Sequence, residues 1–450
     1  MAIFFIQTLG CKVNQFESDA LRTLLMNNGW VPAGDGQPAE VCIINTCTVT
    51  RKASMQSRQA IRQAIRLHPD ARIIVTGCYA QTAPEEIEQI QGVYEIIGHA
   101  YKHKIADAIL SKRNKKIPKT PLRIIRDINR EQIFKQTPVV PVTDRTRPYL
   151  KIQDGCSSFC SYCIVPFARG RSRSMPREDV LANITSLASF GYQEVVLTGI
   201  DLGSYGKDLS GKNGGLAELL FHIESRRLIQ RVRLSSIEPL EFSNDLFQLI
   251  AESRMICRHF HIPLQSGDDG ILKKMRRPYT SSQYARIIEE LHRLAPHAAI
   301  GADVLVGFPG ETDSAFENTM SLVKALPLTY LHVFPYSVRP GTAACEFPGR
   351  LEADIIKVRC RLIRELGLWK KRRFYQNAVG SEVEILIEDQ REPLTSRLKG
   401  LSSNYIPVLL DGPDDLKNTI QSVRLEKVEP GDILSGAILK QPAAVSRSTP

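Results

Sequence analysis

The stretch KIQDGCSSFCSYCIVP, residues 151–166, decides the fold and the chemistry of the middle of the chain. It places Cys156, Cys160 and Cys163 in one loop, spaced C-x3-C-x2-C, directly after a short strand. In parallel α/β proteins, the loops at the carboxyl ends of strands bind ligands. Structural zinc takes four protein ligands, and no fourth Cys or His lies nearby in the sequence. Three thiolates on a [4Fe–4S] cluster leave one iron open, so the spacing favours a cluster, with zinc as the alternative.

Length and composition favour a multidomain protein that works on a polyanion. The chain has 450 residues, of which 43% are hydrophobic and 24% charged. No apolar run is long enough to span a bilayer, and MAIFFIQTLG predicts a buried strand rather than a signal peptide. We therefore expect a cytoplasmic protein with no membrane partner and without disulfides. The net charge of +11 favours a nucleic-acid partner, the alternative being a generally basic surface.

The hydrophobic pattern predicts an α/β protein of three parts. Short apolar strands alternate with helical stretches over residues 1–115 and again over 147–377, which indicates two parallel α/β domains. The second of them contains six strand–helix units, enough for an open, partial (β/α)6 barrel. Residues 116–146 are rich in Lys, Arg and Pro and are expected to form a linker with some order. Residues 378–441 predict a small all-β module, and the tail 442–450 is expected to be disordered.

A second set of cysteines is dispersed over the N-terminal region. The strands FFIQTLGC, CIINTC and RIIVTGC end in Cys11, Cys47 and Cys78. Because parallel neighbouring strands end at one edge of a sheet, we expect these three thiols to converge there. Three buried core cysteines are the alternative, as is expected for Cys42, which lies inside an apolar run. The repeated pattern favours a second three-thiolate site, which predicts a second cluster with an open iron.

The motifs taken together resemble a known family over nearly the whole chain. The residues that carry the resemblance are TLGCKVNQFES, INTCTV, TGCYAQ, LKIQDGCSSFCSYC, IPLQSG, DVLVGFPGET and FPYSVRPGT. They are similar to the methylthiotransferase branch of the radical S-adenosylmethionine superfamily. This implies an N-terminal methylthiotransferase domain, a radical S-adenosylmethionine barrel and a C-terminal TRAM module that binds RNA. CKVNQFES, INTCTVTRKA and HVFPYSVRPGT most resemble the enzymes acting on N6-threonylcarbamoyladenosine at position 37 of tRNA.

The resemblance also implies a reaction and its partners. The enzymes add a methylthio group to carbon 2 of the purine, a C–H position that needs radical chemistry. A cluster on Cys11, Cys47 and Cys78 would hold the sulfur, and a cluster on Cys156, Cys160 and Cys163 would cleave S-adenosylmethionine. A one-electron donor such as flavodoxin or ferredoxin is required, and the sulfur donor is unknown. The alternatives are isopentenyladenosine in tRNA, an aspartate of a ribosomal protein, and a non-catalytic RNA-binding iron–sulfur protein.

Other residues at predicted strand ends are candidates for binding S-adenosylmethionine. They are Thr198, Gly199, Glu238, Gln265 and Ser266. A plain tight turn is the alternative at Thr198 and Gly199, and a solvated loop carboxylate at Glu238. His259 and His261 alternate on a strand and are expected to be structural, and Cys257, Cys345 and Cys360 are expected to be packing residues.

Several basic segments are candidates for binding the tRNA anticodon stem-loop. They are the helical row Arg58, Arg62 and Arg66, the segment Arg169, Arg171 and Arg173, and the patch Lys273, Lys274, Arg276 and Arg277. A solvated helix face is the alternative for the first row. Contacts of this kind to phosphates would position the RNA. Tyr405, in a predicted strand of the β module, is a candidate platform for stacking a base.

Overall fold

The computed structural model describes residues 1–111, 120–136, 145–209 and 214–439. Its N-terminal part is a six-stranded parallel sheet in the order β2-β1-β3-β4-β5-β6. The elements are β1 (Ile3–Thr8), α1 (Lys12–Asn27), β2 (Val31–Pro32), β3 (Val41–Thr46), α2 (Arg51–Leu67), β4 (Arg72–Gly77), α3 (Cys78–Thr82), α4 (Pro84–Glu88), β5 (Val93–Ile97), α5 (Ile105–Ser111) and β6 (Leu122–Ile124).

The two central strands of this sheet are buried on both faces. Every residue of β3 and β4 is buried, as expected for strands covered by helices on both sides. Ala60, Ile61 and Ala64 form the apolar stripe of α2 that packs on one face. Leu21 and Leu25 of α1 and Ile109 of α5 pack on the other face. The parallel register brings the carboxyl ends of β1, β3 and β4 side by side.

The middle part is an open barrel of parallel strands. Its elements are β7 (Tyr149–Lys151), β8 (Gln153–Asp154), α6 (Val165–Arg169), β9 (Arg173–Ser174), α7 (Arg177–Ser189), β10 (Glu194–Thr198), α8 (Leu216–Ser225), β11 (Arg231–Leu234), α9 (Asn244–Glu252), β12 (His259–His261), α10 (Asp269–Lys274), α11 (Ser281–Leu294), β13 (Ala299–Val306), α12 (Asp313–Ala325) and β14 (Tyr330–Pro335). The sheets β11-β10-β7 and β12-β13-β14 meet at a parallel bridge between Val232 and Ile256. The first strand, β7, and the last, β14, are therefore the two edges of the barrel.

A long helix, α13 (Ala353–Ala378), leads from the barrel to the C-terminal module. This module is a closed barrel in the order β15-β16-β17-β19-β18. Its strands are β15 (Glu382–Arg391), β16 (Leu398–Ser402), β17 (Pro407–Leu410), β18 (Ile420–Glu429) and β19 (Ile433–Ile438). Closure leaves no free sheet edge, and a core of aliphatic side chains such as Ile385, Val408 and Leu425 fills the interior.

The N-terminal domain spans the opening between the edges of the middle barrel. Helix α1 packs against β7. At the other edge, the backbone N–H of Arg51 donates to Oγ of Ser337 (2.8 Å), in the loop that follows β14. In the same loop, the guanidinium of Arg339 donates to Oγ of Ser54 (2.9 Å). The N-terminal sheet and the barrel therefore present their loops to one another.

The predicted fold class is confirmed: a parallel α/β domain, a partial barrel and a closed all-β module follow one another. The six barrel strands lie where the alternating pattern predicted them. Strand β6 lies within the predicted linker and extends the N-terminal sheet. The rest of that linker is described only in part, and the predicted disordered tail, 442–450, lies outside the described residues. None of the helices in the described ranges has the length and apolar character needed to cross a bilayer.

Candidate active site

Cys11, Cys47 and Cys78 converge at the carboxyl edge of the N-terminal sheet. Cys11 is the N-cap of α1, Cys47 follows β3, and Cys78 begins α3. A Cβ added at Gly10 would lie 2.9 Å from Sγ of Cys47, so the loop carrying Cys11 touches that thiol. Cys11 and Cys47 both act electrostatically on the thiol of Cys78. The predicted convergence of the three strand ends is thus a feature of the fold.

Two glycines with positive φ make this convergence possible. Gly10 has φ of +96° and Gly77 has φ of +95°, a region that disfavours residues with a Cβ. A Cβ at Gly77 would lie 2.4 Å from the carbonyl oxygen of Thr46. Since Thr46 and Gly77 precede Cys47 and Cys78, this close contact brings the two cysteines together.

The second set, Cys156, Cys160 and Cys163, lies in the loop after β8. The three thiols act electrostatically on one another, and the backbone N–H of Ser158 donates to Sγ of Cys156 (3.4 Å). Phe159, between the first two cysteines, has φ of +44°, and its ring stacks edge-on against Phe167 at 5.9 Å. The three thiols therefore share one loop and lie within electrostatic range of one another.

Burial keeps most of these thiols protonated when no metal is bound. It raises the pKa of Cys78 and of Cys163 to about 12, and that of Cys156 to about 11. Burial also raises the pKa of Cys47. A metal that binds these thiols must therefore displace their protons. Each site should be filled only by a metal with high affinity for thiolates.

Arg277 connects the cysteine loop to Glu238. Its guanidinium donates to Sγ of Cys160 (3.4 Å) and forms an ion pair with the Glu238 carboxylate. Asp201 lies on the other side, with Oδ2 at 4.0 Å from Sγ of Cys156. Burial, helped by Glu238, raises the pKa of Asp201 to about 6. Oδ1 of Asp201 is buried with no hydrogen-bond partner among the described residues, which fits a pocket that receives a polar ligand beside the thiols.

Arg169 links the helix after the barrel cysteine loop to the N-terminal domain. It follows the cysteine loop on α6, yet its side chain is almost completely buried against the N-terminal domain. It binds Glu17 of α1 (3.1 Å) and Asp154 (2.8 Å), and donates to Oδ1 of Asn14 (2.5 Å). Arg169 opposes the burial that raises the pKa of Cys47 and Cys78. A buried cation from the helix after the barrel cysteine loop therefore lies within electrostatic range of the N-terminal cysteines.

Family comparisons agree with this architecture. Residues 3–98 match the family described as Uncharacterized protein family UPF0004, and residues 150–323 match the Radical SAM superfamily. The chain is 37% identical over 430 residues to the threonylcarbamoyladenosine tRNA methylthiotransferase MtaB of Bacillus subtilis (strain 168), covering 95% of this chain and 94% of that protein. The chain belongs to the radical S-adenosylmethionine methylthiotransferase family. The methylthiotransferase is therefore an enzyme that uses S-adenosylmethionine and a [4Fe–4S] cluster.

Two further comparisons extend this assignment. The methylthiotransferase is 32% identical over 434 residues to the tRNA-2-methylthio-N(6)-dimethylallyladenosine synthase of Syntrophus aciditrophicus (strain SB), covering 94% of this chain and 92% of that protein. Its fold is similar to that of the radical S-adenosylmethionine methyltransferase TsrM from Kitasatospora setae, with a TM-score of 0.55 and 19% identity. That likeness covers 74% of this chain and 73% of TsrM, and at this identity it shows a shared fold alone.

The remaining predicted cofactor residues lie at the carboxyl ends of barrel strands. Thr198 ends β10, and a Cβ at the adjacent Gly199 would lie 2.7 Å from Oε1 of Gln153. Gln265 follows β12 with φ of +65°, and its backbone pairs with β13. Ser266 is buried, and its hydroxyl lies 3.3 Å from that of Thr319 on α12. Gly199 and Ser266 also make packing contacts, and Glu238 lies beside the cysteine loop through Arg277; the assignment of the five residues to the cofactor stays a prediction.

The prediction that Arg169, Arg173 and Arg277 bind RNA is wrong, because these side chains are buried and paired inside the protein. Arg169 and Arg173 belong to the buried network around Asp154, and Arg277 binds Cys160 and Glu238. Arg58 is half-buried and pairs with Glu86 (2.9 Å). The other members of those segments are exposed: Arg62, Arg66, Arg171, Lys273, Lys274 and Arg276.

Tyr405 does not lie in a strand, so that prediction is also wrong. It has φ of +66° in the turn before β17, and its ring stacks on His259 of the middle barrel with centroids 4.1 Å apart. Arg233 lies over the same ring at 5.3 Å. The ring therefore joins the two barrels and is not a free platform for a base.

Of the cysteines predicted to be packing residues, Cys42, Cys257 and Cys360 are buried and Cys345 is half-buried. His259 and His261 are buried in a hydrogen-bonded group. The sequence analysis missed Asp201, Asp303 and His332. Asp201 could have been found, because it lies three residues beyond the end of β10. Asp303 and His332 lie inside strands, where the hydrophobic pattern alone does not show which side chains line the interior of the barrel and which pack under the helices.

Proposed function

We propose that the protein adds a methylthio group to carbon 2 of N6-threonylcarbamoyladenosine at position 37 of tRNA. The single observation that supports this most strongly is the presence of two three-cysteine sites, one at the sheet edge and one on the barrel loop, with Arg169 of the helix after that loop buried against the N-terminal domain. Two separate three-thiolate sites suit a reaction that needs both a bound sulfur and a radical source. The relative at 37% identity is named for this substrate.

The six cysteines form two sets of cluster ligands. Cys11, Cys47 and Cys78 hold one [4Fe–4S] cluster, and Cys156, Cys160 and Cys163 hold the other. When bound, the clusters and S-adenosylmethionine supply the one-electron chemistry, the sulfur and the methyl group that an unactivated ring carbon requires. Arg277 donates to a ligand sulfur and orients Glu238, while Asp201 borders the same pocket. The pocket for S-adenosylmethionine is completed by Thr198, Gly199, Glu238, Gln265 and Ser266.

The division of labour among domains follows the same lines. We assign residues 1–115 together with β6 to the sulfur-bearing domain, 147–377 to the radical domain and 378–441 to the RNA-binding module. The net charge of +11 supports an anticodon stem-loop as partner, since phosphate contacts dominate binding of nucleic acids. Exposed cations that remain available are Arg62, Arg66, Arg171, Lys273, Lys274 and Arg276. The protein works in the cytoplasm with a one-electron donor such as flavodoxin or ferredoxin.

A second candidate substrate is dimethylallyladenosine in tRNA. The relative from Syntrophus aciditrophicus, at 32% identity, is named for that base. We place it second because relatives named for threonylcarbamoyladenosine reach 37% identity over similar lengths.

Mass spectrometry of tRNA nucleosides tests the proposed substrate. Cells lacking the protein should lose the 2-methylthio derivative of threonylcarbamoyladenosine and keep the unmodified parent nucleoside. The wild-type gene and the Cys345→Ala variant should restore it, whereas Cys47→Ala should not. An unchanged nucleoside profile in the deletion strain would rule the proposal out, and loss of the dimethylallyl derivative instead would favour the second candidate.

Iron content tests the two-cluster assignment. The anaerobically reconstituted wild-type protein should hold about eight iron atoms per chain. Cys160→Ala and Cys47→Ala should each hold about four, because each removes one ligand set. A wild-type content of about four, or zinc in place of iron, would contradict the assignment.

A further inference from the structure

The inner face of strands β12, β13 and β14 is polar, although this fold usually fills such a face with apolar side chains. The outer faces carry Phe260, Ile300 and Val304, which belong to the core beneath the helices. The inner faces carry the group that we call the inner wall: His259, His261, Asp303, Tyr330 and His332. The side chain of His332 is 55% exposed and that of Asp303 is 22% exposed, so the wall borders an accessible space.

Hydrogen bonds hold the inner wall in one arrangement. The Tyr330 hydroxyl lies 2.8 Å from Nε2 of His259 and 3.1 Å from Nδ1 of His261. Nε2 of His261 lies 2.9 Å from Oδ1 of Asp303, and Nδ1 of His332 lies 3.4 Å from the same oxygen. Both contacts end on Oδ1, so Oδ2 of Asp303 has no donor among the described residues and can accept from a ligand.

Lys12 is the first residue of α1, the helix of the N-terminal domain that packs against β7 of the barrel. It is the residue after Cys11, and its side chain is half-buried. Burial holds the pKa of His259 well below its usual value, and Arg233, Lys12, His261 and His332 lower it further. Lys12 therefore lies within electrostatic range of the inner wall.

The other cations nearby are already neutralised. Arg233 forms a two-pronged pair with Glu194 (2.7 and 3.3 Å), and Arg147 binds Glu388 (2.6 Å). Lys12 has neither an ion pair nor a hydrogen bond with any other residue that the structure describes. A half-buried cation that has no ion pair with a described residue favours a bound anion.

We propose that Lys12 binds the carboxylate of the threonylcarbamoyl group, and that Asp303 and His332 bind its hydroxyl and ureido groups. The assignment rests on the proposed function and explains how the enzyme would choose its base. A threonylcarbamoyl group presents one carboxylate, one hydroxyl and two N–H groups, whereas a dimethylallyl group presents none of these. A site built from buried polar groups strongly rejects an analogue that leaves them unpaired.

The test uses the reconstituted full-length enzyme and three anticodon stem-loop RNAs. Position 37 carries threonylcarbamoyladenosine, its carboxylate methyl ester, or dimethylallyladenosine. The wild type should methylthiolate the first with a kcat/KM about 100-fold or more above that for the other two. Lys12→Met should reduce the preference for the free carboxylate over its ester to less than about tenfold. Lys12→Arg should retain most of it, and Lys52→Met, an exposed lysine on α2, should behave as wild type.

Two measurements separate loss of recognition from loss of assembly. Iron content should stay the same in Lys12→Met, as should reductive cleavage of S-adenosylmethionine without RNA. His332→Phe, which is distant from every candidate cluster ligand in sequence, should lower kcat/KM for the threonylcarbamoyl RNA about tenfold and spare iron content.

The outcomes distinguish the two proposals. If the wild type modifies threonylcarbamoyladenosine while Lys12→Met keeps the full preference over the ester, or while His332→Phe keeps the full kcat/KM for the threonylcarbamoyl RNA, this inference is overturned and the proposed function stands. If the wild type does not modify that RNA at all, the proposed function falls, and this inference with it. A stoichiometric metal other than iron that is lost in His332→Phe would make the inner wall a metal site and overturn its assignment to the substrate.

Discussion

Arg277 donates a hydrogen bond to the sulfur of Cys160 over 3.4 Å, although the two residues are 117 positions apart in the chain. The same guanidinium pairs with Glu238, so one side chain connects a candidate cluster ligand with a candidate cofactor ligand. A donor and a positive charge beside a thiolate stabilise the reduced, more negative state of a cluster.

Arg277→Met should therefore lower the reduction potential of the cluster on the barrel loop. A shift of about 60 mV would correspond to a tenfold change in the one-electron equilibrium. The measurement is a redox titration followed by electron paramagnetic resonance, in a background where Cys11, Cys47 and Cys78 are alanine. Arg276→Met, the exposed neighbour, is the matched control. An unchanged or raised potential in Arg277→Met would contradict the role given to this contact.

Arg169→Met should destabilise the protein by about 3–5 kcal/mol, since it leaves the buried carboxylates of Glu17 and Asp154 short of a partner. Denaturant unfolding of the metal-free protein measures this free energy. Arg171→Met, at an exposed position two residues away, should change it by less than about 0.5 kcal/mol. Adding Glu17→Gln to Arg169→Met should cost less than the sum of the single changes, because both belong to one network. Strict additivity would refute the network.

Gly10→Ala should abolish the N-terminal cluster. The added Cβ would lie 2.9 Å from both Cβ and Sγ of Cys47, so the thiol must move. Iron content should fall from about eight to about four per chain. Gly29→Ala is the control, because its φ of +78° is equally unfavourable but its Cβ would meet no heavy atom within 4 Å. Equal iron loss in both variants would attribute the effect to backbone strain and not to the close contact.

Lys370 should make stability rise with pH. Its amine donates to the carbonyl oxygens of Lys324 (3.2 Å) and Leu326 (2.8 Å), and burial lowers its pKa from 10.5 to about 8. Between these two values the unfolded chain binds more protons than the folded chain, so the free energy of unfolding increases with pH.

Lys370→Met should remove that rise. The difference between its unfolding free energy and that of the wild type should therefore change across pH 8 to 10.5, by less than about 1.4 kcal/mol per pH unit. Urea titrations at several pH values measure it. Lys357→Met, an exposed change on the same helix, should follow the wild-type curve. Parallel curves for wild type and Lys370→Met would show that the amine titrates normally.

Local patterns predicted much of the fold. The runs VCIINT and RIIVTG became β3 and β4 with the same bounds, because a strand buried on both faces is a continuous apolar run. The cysteines at strand ends were predicted for the same reason, since parallel strands share an edge. By contrast, alternation in the C-terminal module predicts strands only in SEVEILIED, NYIPVLL and QSVRLEKV. It does not predict β16 and β19, because short strands rich in Gly and Ser have little apolar alternation.

Charged side chains were the main failure. Arg169, Arg173 and Arg277 suggested a surface for RNA, because an arginine in a sequence is most often exposed. Burial of these residues depends on carboxylates that lie far away in the chain, such as Glu17 for Arg169 and Glu238 for Arg277. The inner wall was missed for a related reason, because its residues become neighbours only when β12, β13 and β14 pair.

The burial of Arg169 bears on how material moves during turnover. Carrier enzymes often deliver a tethered group by swinging one domain toward another. Here such a swing would have to pull a guanidinium out of a carboxylate pocket formed by both domains. We therefore expect the sulfur site and the radical site to stay at a fixed separation during turnover. The target nucleotide, and not a domain, would then move between the two sites.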